Sequence, residues 1–218
     1  MAFLDDDDEW LPDKIEEQIK GFNNDKTALV YSAYRIINTI ANREYNRIKK
    51  QTQGEITINK LFRYNFIGTT SNPLIKKECV DDVGGFDEEL QSSQDYDLWL
   101  RIVERYPAVF IDKPLLNYYI HEGERISTNV DSKIAGLEHL NLKYHEYLEK
   151  DNLAWYMCHR RLLWFYLKKY GRSRAISLWI QCVKKVPWFI IQNMKFFLMI
   201  LLGAEKYSLF VGKIKSLV

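Results

Sequence analysis

Five acidic residues in succession, Asp5-Asp6-Asp7-Asp8-Glu9, follow Phe3-Leu4 and precede Trp10. Carboxylates this close repel one another unless a cation neutralises them. In an extended chain Asp5 and Asp7 point the same way, because side chains alternate with a period of two. That placement suits a divalent ion held by one or two carboxylates and a substrate diphosphate. The same run would also serve as a solvated acidic turn or as a helix N-terminus, where the macrodipole favours negative charge. The apolar residues before it and the tryptophan after it favour a functional loop.

A second group is Gly84-Gly85-Phe86-Asp87-Glu88, followed by Gln94-Asp95-Tyr96-Asp97-Leu98-Trp99-Leu100-Arg101. A carboxylate at a helix N-terminus stays ionised there, and an ionised carboxylate facing a cleft can take a proton from an attacking hydroxyl. Capping is the commoner duty of such residues. With Asp95 and Asp97 two positions apart, both duties can be filled, one each. The third group is Tyr118-Tyr119-Ile120-His121, then Arg125-Ile126-Ser127. A histidine at a strand end with an arginine four residues on could ligate a metal and hold a phosphate; a lone histidine is more often structural.

These groups need elements to carry them. Ala2-Phe3-Leu4 reads as the end of a buried strand running into the acidic loop. Trp10 to Asp13 opens a helix, with Pro12 near its first turn and Ile15, Ile19 and Phe22 as its apolar stripe. Thr27 to Ile37 alternates as a strand, and Asn42 to Asn59 reads as a polar surface excursion. Leu74-Ile75 leads into a short helix over Lys76 to Val83, stopped by Gly84-Gly85. Leu98, Trp99, Ile102 and Val103 form one face of a helix over Asp95 to Tyr106. Ala108 to Ile111 and Leu115 to Ile120 read as two short strands separated by Pro114. From about Ser132 the pattern is all helix. The division expected is an α/β domain over residues 1–130 and a helical extension over 131–218.

With 218 residues, 47% of them hydrophobic and 14% aromatic, the chain can bury a sizeable core and is not a disordered sequence. A net charge of +2 argues against a nucleic-acid partner. Cys79, Cys158 and Cys182 are too scattered for a metal site and read as reduced thiols. The first residues lack the basic and apolar stretches of a signal peptide. The last third is aromatic and basic. Its apolar run from Pro187 to Leu202, interrupted by Lys195, is short of the ~20 residues that span a bilayer. Its tryptophans and lysines suit a helix lying in a membrane interface; packing against the rest of the chain is the alternative.

Taken together, residues 2 to 128 resemble family 2 glycosyltransferases of the GT-A (Rossmann-like) fold. Phe3 to Lys14 resembles that family's Asp-any-Asp metal loop and the helix after it. Gly84 to Glu88 and Gln94 to Arg101 resemble its acceptor-side segment, and His121 with Ser127 its strand-end histidine and the serine shortly after. The resemblance implies Mn²⁺ or Mg²⁺ at Asp5 and Asp7 with His121 as a third contact. It implies Arg125 at the diphosphate, Gly85, Asp87 and Gln94 on the acceptor side, and Asp95 as general base. Many relatives have an acidic residue where Gln94 stands. The function implied is inverting transfer of a sugar from a nucleotide-sugar to a glycan or lipid-linked acceptor in surface-polysaccharide biosynthesis. The place implied is the cytoplasm, peripheral on the inner face of the cell membrane. The family begins with a Rossmann-like half that grips the nucleotide and would precede Phe3, so a truncated chain, inactive alone, is expected. A non-catalytic remnant or partner module is the rival expectation, and a membrane-bound acidic metal-binding protein a third.

Overall fold

The strand β2 (Leu29–Asn38) is the one to which most of the sheet is joined. Its first six residues are all buried, as an unbroken run of Leu, Val, Tyr, Ser and Ala allows in a strand covered on both faces. The computed structural model describes residues 1–40, 42–47, 56–121, 129–204 and 206–207. These form two compact units, Met1–Glu89 with Gln94–Glu124, and Leu90–Ser93 with Arg125–Val218.

In the first unit the sheet order is β1-β5-β2-β3, where β1 is Glu9–Trp10, β3 is Arg43–Arg47 and β5 is Ala108–Ile120. β5 runs parallel to β2, while β3 and the two-residue β4 (Leu74–Ile75) pair antiparallel with it. Two expectations change here. Arg43–Arg47 is a strand rather than an excursion, and the two short strands around Pro114 are one. Pro114 has no N–H to give the ladder, so the register shifts between Ser32 and Arg35 and the strand bulges instead of ending. Ala2 makes only an isolated antiparallel bridge to Leu74, and Leu4 is 50% exposed, so Ala2 to Leu4 is not a buried strand end.

Helix α1 (Lys14–Lys20) lies with the opposite face inward from the one its isoleucines suggest. Ile15 and Ile19 are exposed, while Lys14 and Gln18 are fully buried. The reason is polar. Gln18 Nε2 donates to the carbonyls of Val30 (3.2 Å) and Asn72 (2.9 Å), and Lys14 Nζ donates to Gln18 Oε1 at 2.5 Å. The Lys14 ammonium also sits 4.6 Å from the Trp10 ring centroid, and burial lowers its pKa to about 8.

α2 (Ile58–Arg63) is capped by the Thr57 side chain. α3 (Lys77–Asp82) ends where Gly84 and Gly85 take left-handed φ of 82° and 70°. There the Gly85 N–H donates to Val80 O at 2.9 Å. α4 (Gln94–Arg105) buries Leu98, Trp99, Ile102 and Val103, the predicted face. It also buries Asp97, whose Oδ2 lies 2.8 Å from Arg101 Nε and 2.7 Å from Nη2. The same guanidinium donates to the carbonyls of Val83 (2.5 Å) and Gly85 (2.7 Å), tying the glycine turn to α4.

The second unit is helical: α5 (Val130–Lys143), α6 (His145–Lys150), α7 (Asn152–Tyr170), α8 (Arg172–Lys185) and α9 (Ile190–Leu202). Asn129 caps α5, and Asp151 caps α7 through the N–H groups of Leu153 and Ala154. Leu137, Leu162, Leu163, Leu167, Leu178 and Ile200 pack in its core. Leu90–Ser93 joins this unit because Gly136 lets it approach α5: a Cβ at Gly136 would meet Ser92 O at 2.5 Å. Cys79, Cys158 and Cys182 are free and buried.

The Asp97–Arg101 pair generates a stability prediction. Asp97 is 0% exposed, so Asp97→Ala strands a largely buried guanidinium and should cost about 3–5 kcal/mol, as should Arg101→Ala in reverse. Urea denaturation of each variant is the check; a loss under ~1 kcal/mol for both would mean the clamp is not what holds the turn.

Candidate metal and acceptor site

The acidic loop is built by a turn. Asp8 N–H donates to Asp5 O at 3.1 Å, folding residues 5–8 back on themselves. The extended alternation that pairs Asp5 with Asp7 therefore does not hold, and Asp8 comes in beside them. One carboxylate oxygen each of Asp5, Asp7 and Asp8 lie within 4.8 Å of one another. Asp8 is the residue the sequence reading passed over; it was one more acid in the run, and only the turn distinguishes it.

Two anchors fix this loop in the first unit. On one side, β1 pairs with β5 in the register Glu9 to Asn117 and Trp10 to Leu116. Glu9 Oε2 accepts from Asn117 Nδ2 (2.7 Å) and the Tyr119 hydroxyl (3.0 Å), which hold its pKa below the usual carboxylate range. Just past the end of β5, His121 Nε2 lies 3.1 Å from Asp7 Oδ2. On the other side, the loop of residues 65–73 meets the acids with small polar side chains. The Thr69 hydroxyl is 3.4 Å from Asp5 Oδ2 and 3.3 Å from Asp8 Oδ2. Ser71 Oγ accepts from the Asp5 N–H at 3.0 Å, and Ser71 O from Trp10 Nε1 at 2.9 Å. Asn72 is fully buried beneath. Its Oδ1 accepts from Ser32 N–H and Oγ, and its Nδ2 donates to the carbonyls of Ser32 and Ile67.

Electrostatically the loop is strained toward a cation. Burial, then the Asp7 charge, raises the Asp5 pKa, partly offset by Thr69. Burial raises that of Asp8, partly offset by a hydrogen bond with Ser71, and Asp7 and Asp5 raise it further. Asp8 Oδ1 is buried with no hydrogen-bond partner among the described residues. A buried carboxylate oxygen left unpaired is costly. A hard divalent cation, which takes oxygen ligands, fits this set, with His121 beside it.

The acceptor-side residues sit as follows. Gln94 and Asp95 form the first turn of α4, with Asp95 Oδ1 accepting from the Tyr96 N–H at 2.7 Å. Asp95 is half-buried and Asp97 fully buried, so the two aspartates have different surroundings: Asp97 grips Arg101. Asp87 Oδ1 accepts from the Glu89 N–H, and Gly85 O from Arg101. Phe86, from the same turn, meets Phe3 edge-on at 5.2 Å between centroids, so the glycine turn touches the chain leading into the acidic loop. Arg125 and Ser127 lie outside the described residues.

Comparison with known proteins agrees with this architecture. Residues 1–139 match the family described as glycosyltransferase like family 2. The chain is 32% identical over 141 residues to the amylovoran biosynthesis glycosyltransferase AmsB of Erwinia amylovora, covering 58% of this chain and 46% of that protein. It is 29% identical over 161 residues to the O-antigen biosynthesis glycosyltransferase WbnJ of Escherichia coli, covering 71% and 59%. An uncharacterized glycosyltransferase of Rickettsia bellii is 28% identical over 156 residues, covering 69% and 22%. The chain thus spans 22% to 59% of the length of these relatives. In structure it is similar to S. aureus TarS 1-349, solved in complex with UDP-GlcNAc. The TM-score is 0.52 at 16% identity, covering 91% of this chain and 56% of that one, a likeness of fold. With the family matched over the whole α/β unit and the fold matched in space, the chain belongs to the glycosyltransferase like family 2 and has a fold of the GT-A type.

Proposed function

We propose that this chain carries the metal, diphosphate and acceptor side of an inverting sugar transfer from a nucleotide-sugar to a glycan or lipid-linked acceptor. The observation that carries the reading is the acidic loop itself: three carboxylates gathered by a turn, one with a buried unpaired oxygen, and His121 on Asp7. Asp5, Asp7 and Asp8, with His121, would hold Mn²⁺ or Mg²⁺. A bound ion of this kind supplies charge neutralisation to a nucleoside diphosphate as it departs.

The chain's own residues supply the rest. Asp95, half-buried at the start of α4, takes the proton from the acceptor hydroxyl. The oxygen's electron pair then forms a bond to the anomeric carbon as the bond to the diphosphate breaks, so the configuration inverts. Asp97 is the neighbouring aspartate but is held by Arg101, which supports giving it the structural duty and Asp95 the chemical one. Gly85, Asp87 and Gln94 frame the acceptor. Arg125 is assigned to the diphosphate on sequence grounds alone. The names of AmsB and WbnJ, an amylovoran and an O-antigen biosynthesis enzyme, support a surface-polysaccharide acceptor.

The surroundings we infer are the inner face of the cell membrane. No described helix is long and apolar enough to cross a membrane; α9 itself, at 13 residues, is about 20 Å long. Its Ile190, Ile191, Met194, Phe197, Leu198 and Leu201 are 37–66% exposed. At 100° per residue they fall in one arc of the helix. From Arg172 to the last residue the sequence has eight Lys or Arg against one acidic residue, Glu205. An apolar arc with a basic border suits an anionic lipid surface.

Three outcomes follow from this reading. Asp95→Asn, assayed in enzyme that transfers sugar, should lose about 10²-fold or more in turnover while its melting temperature holds; undiminished turnover would show the wrong aspartate was chosen. Asp5 and Asp8 have raised pKa values in the fold, so the folded state binds more protons than the unfolded one above the ordinary value of 3.8. Their contribution to stability is therefore lost as pH rises through the carboxylate range. Asp8→Asn should accordingly raise the metal-free melting temperature relative to the parent, little at pH 4 and more at pH 7, and should remove the stabilisation that Mn²⁺ gives the parent. A pH-independent difference in scanning fluorimetry would contradict this. Finally, the chain should co-sediment with vesicles containing anionic lipid, less so in high salt, and Met194→Asp with Leu198→Asp should abolish it; equal sedimentation of the double variant would refute the anchor.

A further inference from the structure

Within the helical unit, α5, α7 and α8 enclose an open groove of about 420 Å³, in the ~300–1,000 Å³ range of small-ligand sites. α8 lines one wall with Arg174, Ser177 and Gln181, whose spacing puts them on one helix face. α7 lines the other with His159, Leu162 and Tyr166 at matching spacing, and α5 contributes Glu138 and Asn141.

The polar groups of this groove are partly held in place, and one of them is buried without a partner among the described residues. The Tyr166 hydroxyl donates to Glu138 Oε1 at 2.5 Å, and the Arg174 guanidinium lies 4.3 Å from the Tyr170 ring centroid and 5.9 Å from that of Tyr166. His159 stacks on Trp155 at 3.7 Å, and its Nδ1 donates to Trp155 O at 2.8 Å, which leaves Nε2 as an acceptor. Burial lowers the His159 pKa, so the ring is neutral at pH 7. Asn141 Nδ2 is buried with no partner among the described residues. Arg174, Ser177 and Gln181 are exposed and line the groove with a guanidinium, a hydroxyl and an amide.

This set selects a class of ligand. The groove is lined by one guanidinium, one carboxylate and a histidine whose pKa burial lowers, so it has no excess of cations with which to favour a free phosphate. An apolar ligand would leave its donors and acceptors unpaired. A sugar ring offers hydroxyls that both donate and accept, and a C–H face for Leu162 and Leu178. We propose that this groove is a saccharide subsite and holds a sugar of the acceptor glycan. That the sugar belongs to the acceptor rests on the transferase reading; that the groove binds a saccharide does not.

The test is saturation-transfer NMR on the whole chain with glucose, galactose, N-acetylglucosamine and their β-linked disaccharides, and with inorganic phosphate as competitor. At least one saccharide should receive saturation, undisturbed by equimolar phosphate. Arg174→Ala with Gln181→Ala should weaken its binding about tenfold, the loss of one or two hydrogen bonds, and Ser177→Trp should block it. These three positions are exposed, and Mn²⁺ uptake at the acidic loop should be unchanged in every variant. Saccharide binding by a chain that takes up no Mn²⁺ would uphold the groove while removing the transferase reading. No transfer to any of these sugars, equal binding by the variants, or displacement by phosphate would overturn the proposal.

Discussion

Like-charge repulsion in a partly buried turn is the constraint around which the first unit is arranged. With carboxylate oxygens of Asp5, Asp7 and Asp8 within 4.8 Å of one another, each ionised pair repels by about 3 kcal/mol or more at an effective dielectric near 20. The Thr69 hydroxyl can donate to one of its two carboxylate neighbours at a time, Ser71 adds a hydrogen bond to Asp8, and each hydrogen bond to a charged group contributes ~1.5–3 kcal/mol. That does not offset three pairs. The loop either holds extra protons, as the raised pKa values of Asp5 and Asp8 indicate, or is neutralised by a cation.

Rigid polar anchoring keeps the carboxylates from simply turning out to solvent. Asn72 satisfies backbone and side chain of Ser32 and the carbonyl of Ile67 from a fully buried position. That fixes Ser71 beneath Asp5 and Trp10. Gln18 ties α1 to the same loop, at Asn72 O. On the far side Glu9 is tied to β5 by Asn117 and Tyr119, which holds the end of that strand, and His121 just past it, near Asp7. The Arg101 clamp does the same for the glycine turn beside α4. The Asn72, Gln18 and Arg101 anchors are buried or half-buried polar contacts, strong because little water competes for them.

Much of the scaffold was legible because it follows from side-chain pattern. The apolar run of β2, the stripe of α4, the glycines after α3 and the all-helical last third each announce themselves by period or by a residue with one conformational use. The failures have a common cause, which is that pattern does not name partners. Ile15 and Ile19 look like the buried face of α1, but Gln18 has carbonyls to satisfy at Val30 and Asn72, and the helix turns to meet them. Pro114 looks like a strand break, yet a parallel neighbour as long as β2 carries β5 through it with a bulge. Thr69 and Ser71 lie more than 60 residues from Asp5 in sequence, and nothing local marks them as its partners. In the acidic run, alternation supplies Asp5 and Asp7, whereas a turn of four residues adds Asp8.

The helical unit extends the same logic to a softer surface. Its core is aliphatic, while α9 turns an apolar arc outward and the groove between α5, α7 and α8 is lined with polar groups, the Asn141 Nδ2 among them buried without a partner among the described residues. The proposed transfer depends on whether the acidic loop holds a cation, and electron paramagnetic resonance of Mn²⁺ decides that directly. Titrating Mn²⁺ into the chain with a nucleoside diphosphate present should diminish the free six-line signal at one equivalent. Asp7→Asn should restore it, with its fold intact by circular dichroism. A free-ion spectrum that is the same for parent and variant would contradict the assignment of the loop.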